Sequence, residues 1–153
     1  MAMICDIVTQ DRGLFSGEAD MVLAPGSEGE LGILPHHAPL LTTLSYGVLR
    51  VRQGGQEHAF TIAGGVMEVR PDRVTVLADS GESIDEIDEA RAEAARERAQ
   101  HMLAEGPVVS DAQLREAEAA LRRSKLRLDA VRRYRRARRP GAGEGGSRDP
   151  NAG

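Results

Sequence analysis

Residues 1–83 alternate between apolar and polar side chains with a period near two, which is the pattern of half-buried β-strands. In the segment 49–52, LRVR, the leucine and valine would point to one side of an extended chain and the two arginines to the other. Residues that favour turns separate such segments at short intervals. Several short strands at this spacing predict a small antiparallel sandwich or barrel.

Two hairpins are marked by the residues at their turns. Gly54 and Gly55 can adopt the positive φ angles that a tight hairpin turn needs. Pro71 and Asp72 are typical of the turn that would open the next hairpin. Because aromatic residues make up only 3% of the chain and tryptophan is absent, we expect the core of this sandwich to be aliphatic.

After Ser83 the apolar positions follow the period of an α-helix. Ser83 and Glu86 fit a capping box, in which each side chain caps the backbone of the other at a helix start. A first helix is therefore predicted at residues 85–104. Gly106 and Pro107 follow it and would end it.

A second helix is predicted at residues 111–139, because Ser110 and Gln113 form another capping box ahead of a helical pattern. Pro140 cannot continue a helix and would stop it. The remaining residues, 140–153, are rich in glycine and poor in apolar side chains, so we expect a disordered tail.

The apolar seam of the second helix is narrow. Leu114, Leu121 and Leu128 fall seven residues apart, as do Ala117, Ser124 and Val131. Alanine and serine bury little apolar area, and an isolated helix needs packing to be stable in water. We therefore expect the two helices to be weakly held and able to undock.

Together these patterns predict an α+β chain with three parts. They are an antiparallel β-sandwich at residues 1–83, an antiparallel helical hairpin at residues 84–139, and a disordered tail at residues 140–153. The single cysteine, Cys5, excludes an internal disulfide and is expected to be a buried apolar residue. No apolar run approaches the roughly 18 residues that would span a bilayer.

The net charge of −4 conceals a strong asymmetry along the chain. Residues 122–139 contain ten basic side chains and one acid, Asp129, which gives +9, and residues 140–153 sum to −1. Residues 1–121 therefore carry −12. A basic arm attached to an acidic body indicates that the arm binds an acidic partner.

Residues suited to catalysis are scarce. His36 and His37 are neighbours, and neighbours in an extended segment point to opposite sides, so they are poor joint metal ligands. The sequence contains no zinc-binding cluster, no phosphate-binding loop and no serine in a nucleophile motif. A small hydrolase is therefore disfavoured, and we expect the chain not to be an enzyme.

The helical half offers a candidate binding face. On a helix, Asp88, Arg91 and Arg98 would share one stripe, and Arg123 and Arg127 are neighbours on the second helix. If the helices fold back on each other, these arginines could grip phosphates while the aspartate accepts a hydrogen bond from an amino group. The alternative is a solvated face with ion pairs within each helix, and these residues alone leave both open.

The segment 131–140 contains six arginines and should seek anions. A nucleic-acid-binding module is one alternative, although only Tyr134 could stack on a base and the acidic body would repel the polymer. An acidic protein surface is a second candidate. The third is a solvated helix end whose arginines complement the helix dipole.

Three segments carry a resemblance to a known family. They are GSEGELGILPHHAPLLTTLSYGVLRV at residues 26–51, FTIAGGVMEVRPDRVTVLAD at residues 60–79, and IDEIDEARAEA at residues 84–94. In these segments the chain resembles the epsilon subunit of the bacterial F-type ATP synthase. The likeness extends over roughly residues 1–131.

The resemblance implies a β-sandwich of about ten strands followed by a helical hairpin. It also implies a non-catalytic rotor subunit that couples the gamma subunit to the c ring of a proton-translocating synthase. Such a subunit would lie at the cytoplasmic face of the bacterial membrane, as a peripheral protein with only indirect membrane contact. Its C-terminal helices would either fold down on the sandwich or extend into the catalytic head and block ATP hydrolysis.

Binding residues are implied by position. Glu30 and His37 fall in the loop that faces the c ring in this family. IDEARA, at residues 87–92, matches a motif that binds ATP in some members of this family. The resemblance therefore implies ATP as a regulatory ligand and no required cofactor. The residues implied to hold it are Asp88, Arg91, Ala92, Arg98, Arg123 and Arg127.

The basic arm is implied to serve the extended state. In this family the extended helix meets an acidic segment of the beta subunit, and a run of arginines should suit that contact. This implies strong inhibition, and a protein rather than nucleic acid as the partner. The residues implied to make the contact are Arg132, Arg133, Arg135 and Arg136.

Overall fold

The computed structural model describes residues 2–106 and 110–135. In these ranges the chain forms eight strands followed by two α-helices. The strands are β1 (Met3–Val8), β2 (Gly13–Ala19), β3 (Met21–Gly26), β4 (Gly29–Ile33), β5 (Leu40–Gln53), β6 (Gln56–Arg70), β7 (Arg73–Ala78) and β8 (Gly81–Ser83). A 3₁₀ turn (Ile84–Glu86) precedes α1 (Glu89–Glu105), and α2 (Asp111–Ala130) continues into a π-helical turn (Val131–Arg135).

The strands follow the order β2-β1-β7-β6-β5-β3-β4, with β8 paired to β6. All pairs are antiparallel except β1 with β7, which run parallel. Strand β6 pairs with β7 through its C-terminal half and with β8 through residues 60–62, and Gly64 and Gly65, both with positive φ, separate the two halves. This change of partner lets one long strand serve both layers of the sandwich.

The predicted sandwich followed by a helical hairpin is confirmed. The family resemblance implied about ten strands, whereas the described residues form eight. Strands β5 and β6 are 14 and 15 residues long, so each covers a length that two shorter strands could fill. The hairpin turn predicted at Gly54 and Gly55 is present, with φ angles of 55° and 82°.

One aliphatic core lies between the layers of the sandwich. In β1 the side chains of Met3, Cys5 and Ile7 face inward and alternate with partly exposed neighbours, as the period of two predicts. Phe60 is the large aromatic side chain buried among them. Burial raises the pKa of the Cys5 thiol to about 12, so this cysteine acts as a small apolar core residue.

The first α-helix starts later than predicted. Ser83 accepts a hydrogen bond from the backbone of Asp85, but this bond closes only a 3₁₀ turn, and Ile87 is extended. The α-helix begins at Glu89, and Asp88 is its N-cap. The capping box fails because Ile84 and Ile87 are drawn into a small apolar cluster, a tertiary contact that overrides the local signal.

The second helix starts as predicted, since the Ser110 side chain accepts a hydrogen bond from the backbone of Gln113 at 3.1 Å. Its α-helical part ends at Ala130, and the π-helical turn extends it to Arg135, where the described residues end. The predicted continuation to residue 139 and the predicted disorder of residues 140–153 fall outside the described residues.

The hairpin is folded down on the sandwich. A second apolar cluster joins it there, formed by Ala59, Ile84, Ile87, Ala130 and Val131, with Val48 and Tyr134 packed against it. The predicted seam is only partly buried, because Leu128 is enclosed while Leu114 remains 44% exposed. Neither of the described helices combines the length and apolarity that crossing a membrane would need.

Candidate functional site

A cleft of about 340 Å³ lies where the helices meet the end of the sandwich. Its walls come from β8 and the linker after it, from the first half of α1, and from α2. The lining residues are Glu82, Glu86, Ile87, Asp88, Arg91, Ala92, Ala95, Arg98 and Arg127. This volume is within the range of small-molecule sites.

Five of the six residues predicted to bind a nucleotide line this cleft. They are Asp88, Arg91, Ala92, Arg98 and Arg127. Arg123 is placed differently: its Nη2 atom pairs with the carboxylate of Glu116 at 2.9 Å, and it lines a smaller recess next to the cleft. The arrangement therefore presents three guanidinium groups from two helices to one volume.

Asp88 has a structural task in addition to its place in the cleft. Its Oδ1 atom accepts a hydrogen bond from the backbone N–H of Arg91 at 3.1 Å, and its backbone carbonyl accepts one from Ala92 at 3.0 Å. The carboxylate thus caps α1 and fixes the direction in which the helix leaves the linker. The small side chain of Ala92 keeps this wall of the cleft low.

Sequence reasoning missed two carboxylates that line the cleft. Glu82 accepts a hydrogen bond from Nε of Arg127, and Glu86 accepts one from Arg12 at 2.6 Å. The three lining arginines are therefore matched by three lining acids. A polyanionic ligand would have to displace Glu82 to reach Arg127 fully, which lowers its affinity relative to an all-cationic cleft.

The Arg12–Glu86 contact also determines the protonation state of Glu86. The hydrogen bond from Arg12 lowers the pKa of Glu86, and the charge of the guanidinium acts in the same direction. Glu86 is therefore ionised at neutral pH and adds negative charge to the rim of the cleft. Among the described residues, no group of three or more histidines, cysteines or acids is placed to hold a metal ion.

The described arginines of the basic arm lie against the folded chain. The Nε atom of Arg132 is 3.8 Å from Oε1 of Glu89, and its Nη2 atom is 3.8 Å from Oε2 of Glu93. Arg133 lies over the ring of Tyr134, 5.4 Å from its centroid. Arg135 donates to backbone carbonyls of the linker, and Arg136 lies outside the described residues.

Comparison with known proteins decides the family. Residues 2–84 match the model of the ATP synthase delta/epsilon chain β-sandwich domain, and residues 85–132 match that of its long α-helix domain. The chain belongs to the ATP synthase delta/epsilon family. Family membership confirms the resemblance seen in the sequence.

Curated relatives in the delta/epsilon family are similar over most of their length. The ATP synthase epsilon chain of Dehalococcoides mccartyi is 50% identical over 131 residues, which cover 86% of this chain and 93% of that protein. The epsilon chain of Herpetosiphon aurantiacus is 48% identical over 132 residues, with 86% and 96% covered.

Solved structures agree with this assignment. A chain of the Euglena gracilis mitochondrial ATP synthase, in an assembly titled OSCP/F1/c-ring, superposes with a TM-score of 0.70 at 25% identity, covering 85% of this chain and 81% of that one. A chain of the Tetrahymena thermophila central stalk and c-ring assembly shares the fold, with a TM-score of 0.54 at 16% identity. As a delta/epsilon family member, the chain is a non-catalytic subunit of the ATP synthase.

The two residues implied to face the c ring of the synthase occupy different kinds of structure. Glu30 lies in strand β4, opposite Pro25, because the turn at Ser27 and Glu28 ends before Gly29, the first residue of that strand. His37 lies in the connection between β4 and β5, where its Nδ1 is 2.7 Å from the carbonyl oxygen of Ala38. Only His37 is therefore in a loop.

Proposed function

We propose that this delta/epsilon family chain is a central-stalk rotor subunit that couples the gamma subunit to the c ring of a proton-translocating ATP synthase. Its C-terminal helices inhibit ATP hydrolysis when they extend, and ATP bound in the cleft favours the retracted state. The structural similarity to a chain from an F1/c-ring assembly supports the rotor role. A peripheral position at the cytoplasmic face of the bacterial membrane accompanies this proposal.

The make-up of the cleft is the observation that carries the regulatory part. Glu82 belongs to β8, Arg91 and Arg98 to α1, and Arg127 to α2. These elements share one volume only while the hairpin is folded down. A ligand that touches all three therefore binds the retracted state and has no equivalent site in an extended one.

The chemistry of the lining suits a nucleoside triphosphate. Guanidinium groups bind phosphate oxygens through paired hydrogen bonds, and three of them line the cleft. Glu82 would give up its hydrogen bond with Arg127 and would contact another part of the ligand. Arg123, one recess away, comes within reach only if it leaves Glu116. ATP would act here as a regulatory ligand, and no reaction takes place on it.

A modest affinity is enough for this regulation. If ATP binds only the retracted state, a concentration ten times its dissociation constant favours that state by about 1.4 kcal/mol. Such a change shifts the ratio of retracted to extended chains about tenfold. The narrow seam of α2, with Leu114 exposed, is consistent with a docking free energy small enough for this to matter.

The arginines of the arm supply the inhibitory contact. Arg132, Arg133, Arg135 and Arg136 would bind an acidic segment of the beta subunit in the extended state. A protein partner is favoured over nucleic acid, since Arg132 already lies near the acids of α1 in this structure. In the assembled synthase, deleting residues 132–153 should raise the rate of ATP hydrolysis, and an unchanged rate would contradict an inhibitory arm.

A thermal titration tests the nucleotide site. ATP at millimolar concentration should raise the melting temperature of the purified chain, and Arg91→Ala should remove most of that rise. Arg115→Ala is the matched control, since Arg115 is exposed on α2 and is not part of the cleft. No rise in the unmodified chain would remove the ATP-sensing role while leaving the rotor role standing.

A further inference from the structure

The last described turn of the chain is fastened to the linker between sandwich and hairpin. The Nη2 atom of Arg135 donates one hydrogen bond to the carbonyl oxygen of Ile84 and another, at 2.8 Å, to that of Ile87. These contacts join positions 51 and 48 residues apart in sequence. A single guanidinium nitrogen therefore joins the last described turn to the linker.

The accepting carbonyls belong to buried residues. Ile84 is fully buried and Ile87 is 5% exposed, and both pack in the second apolar cluster with Val131 from the same turn as Arg135. Hydrogen bonds from a charged donor are stronger than neutral ones. Removing the donor from carbonyls in such a place costs more than removing it from solvent-exposed ones.

Arg135 also completes the geometry of the linker. Ile84 opens the 3₁₀ turn, and its carbonyl oxygen also accepts the backbone N–H of Ile87, the extended residue that follows the turn. The guanidinium supplies donors at this break between the 3₁₀ turn and α1. Tyr134, beside it in sequence, packs against the same apolar cluster.

We propose that Arg135 is a lock that keeps the hairpin retracted without any bound ligand. Its guanidinium has two mutually exclusive uses: it holds the linker carbonyls in the retracted state, and it can reach an acidic partner surface only after it lets go of them. The second use depends on the function proposed above, whereas the lock itself depends only on the contacts within this chain.

Hydrogen exchange on the full-length chain without nucleotide tests the lock. Arg135→Met keeps a long aliphatic side chain but removes the donors, and Arg133→Met makes the same change two residues away, at a side chain that contacts the Tyr134 ring instead. We expect amides of residues 84–92 and 124–131 to exchange about tenfold to a hundredfold faster in Arg135→Met. Arg133→Met should stay within a few-fold of the unmodified chain.

Two further readouts make the outcome decisive. Exchange in β1 and β7 reports whether the sandwich is intact, because their buried residues belong to the first apolar cluster and none of them to the cluster that Arg135 supports. Arg135→Lys keeps a cation with N–H donors and should exchange more slowly than Arg135→Met in the same segments. Equal exchange in Arg135→Met and the unmodified chain, or in the Met and Lys variants, would overturn the lock.

The result is independent of the nucleotide proposal. If ATP fails to stabilise the chain but Arg135→Met speeds exchange, the lock stands and the ATP site falls. If ATP stabilises the chain and Arg135→Met leaves the exchange rates unchanged, the ATP site stands and the lock falls. If the lock and the ATP site are both correct, saturating ATP should slow amide exchange in Arg135→Met toward the rate of the unmodified chain.

Discussion

The Nε atom of Arg127 donates a hydrogen bond to Oε1 of Glu82, which ties α2 to the last strand of the sandwich. The bond crosses 45 residues of sequence and forms one wall of the cleft. The Arg127 side chain is 38% exposed and that of Glu82 is 22% exposed. Solvent therefore screens the pair, and we expect it to stabilise the docked hairpin by about 0.5–1 kcal/mol.

A double-mutant cycle measures this coupling. Glu82→Gln and Arg127→Met should each lower the protection of α2 amides against hydrogen exchange, and the double variant should lose less than the sum of the two. The Arg123–Glu116 pair, which lies within α2, is the comparison, because breaking it should not affect docking to the sandwich. Strict additivity at Glu82 and Arg127 would show that their contact contributes nothing.

A second attachment between helix and sandwich is aromatic. The guanidinium carbon of Arg122 lies 4.1 Å from the ring centroid of Tyr46, on β5. A cation over an aromatic face at this distance contributes about 0.5–1 kcal/mol at an exposed site. Tyr46→Leu should therefore weaken docking of α2 by about that amount, and Tyr46→Phe, which keeps the ring, should not.

Exchange of α2 amides in the two Tyr46 variants gives the measurement. Arg122→Met should reproduce the effect of Tyr46→Leu, and combining the two should add little. A large loss in Tyr46→Phe would instead point to the hydroxyl group as the source of stability.

Much of the fold could be predicted because its signals are local. The period of two gave the strands, the period of the helix gave α1 and α2, and Ser110 marked a helix start that the structure confirms. The start of α1 could not be predicted in the same way. Ile84 and Ile87 are held by Val131, more than forty residues away, and nothing near Ser83 records that contact.

The cleft shows the same division. Asp88, Arg91 and Arg98 could be grouped in advance because they follow one stripe along α1 and its N-cap. Glu82 could not, since its partner Arg127 is distant in sequence and its own strand, β8, has only three residues. Arg123 stands apart from this set, because it pairs with Glu116 on its own helix and lines a smaller recess beside the cleft, where Arg127 also lies.

Gly65 marks a place where the sandwich tolerates no side chain. Its φ is 139°, and a Cβ atom there would lie 2.3 Å from the carbonyl oxygen of Leu77. Both the left-handed backbone and the clash with a neighbouring strand oppose substitution. We expect Gly65→Ala to lower the free energy of unfolding by at least about 2 kcal/mol.

Gly13→Ala is the control for Gly65→Ala. A Cβ atom at Gly13 meets no atom within 4 Å, and its φ is not in the left-handed region. Urea unfolding followed by circular dichroism should place Gly13→Ala close to the unmodified chain. If Gly65→Ala unfolds at the same urea concentration as Gly13→Ala, then β6 and β7 do not approach each other at Gly65 as closely as in this structure.

The Arg12–Glu86 ion pair predicts how stability depends on pH. The pKa of Glu86 in the folded chain lies below the ordinary value of 4.5, because Arg12 donates a hydrogen bond to its carboxylate. Above 4.5 the carboxylate is ionised in both folded and unfolded chains, and the pair contributes in full. As the pH falls through the lowered pKa, protonation breaks the pair and its contribution is lost. Glu86→Gln should therefore be less stable than the unmodified chain at neutral pH, and the difference should shrink in acid.

The measurement is the midpoint of urea unfolding as a function of pH at low ionic strength. The effect should be small and should diminish with added salt, since both side chains are half exposed. Glu28→Gln is the matched control, because Glu28 is exposed and forms no ion pair within the described residues. A Glu86→Gln chain whose deficit grows as the pH falls would reverse the sign of this linkage, and Arg12 could then not be the group that lowers the pKa of Glu86.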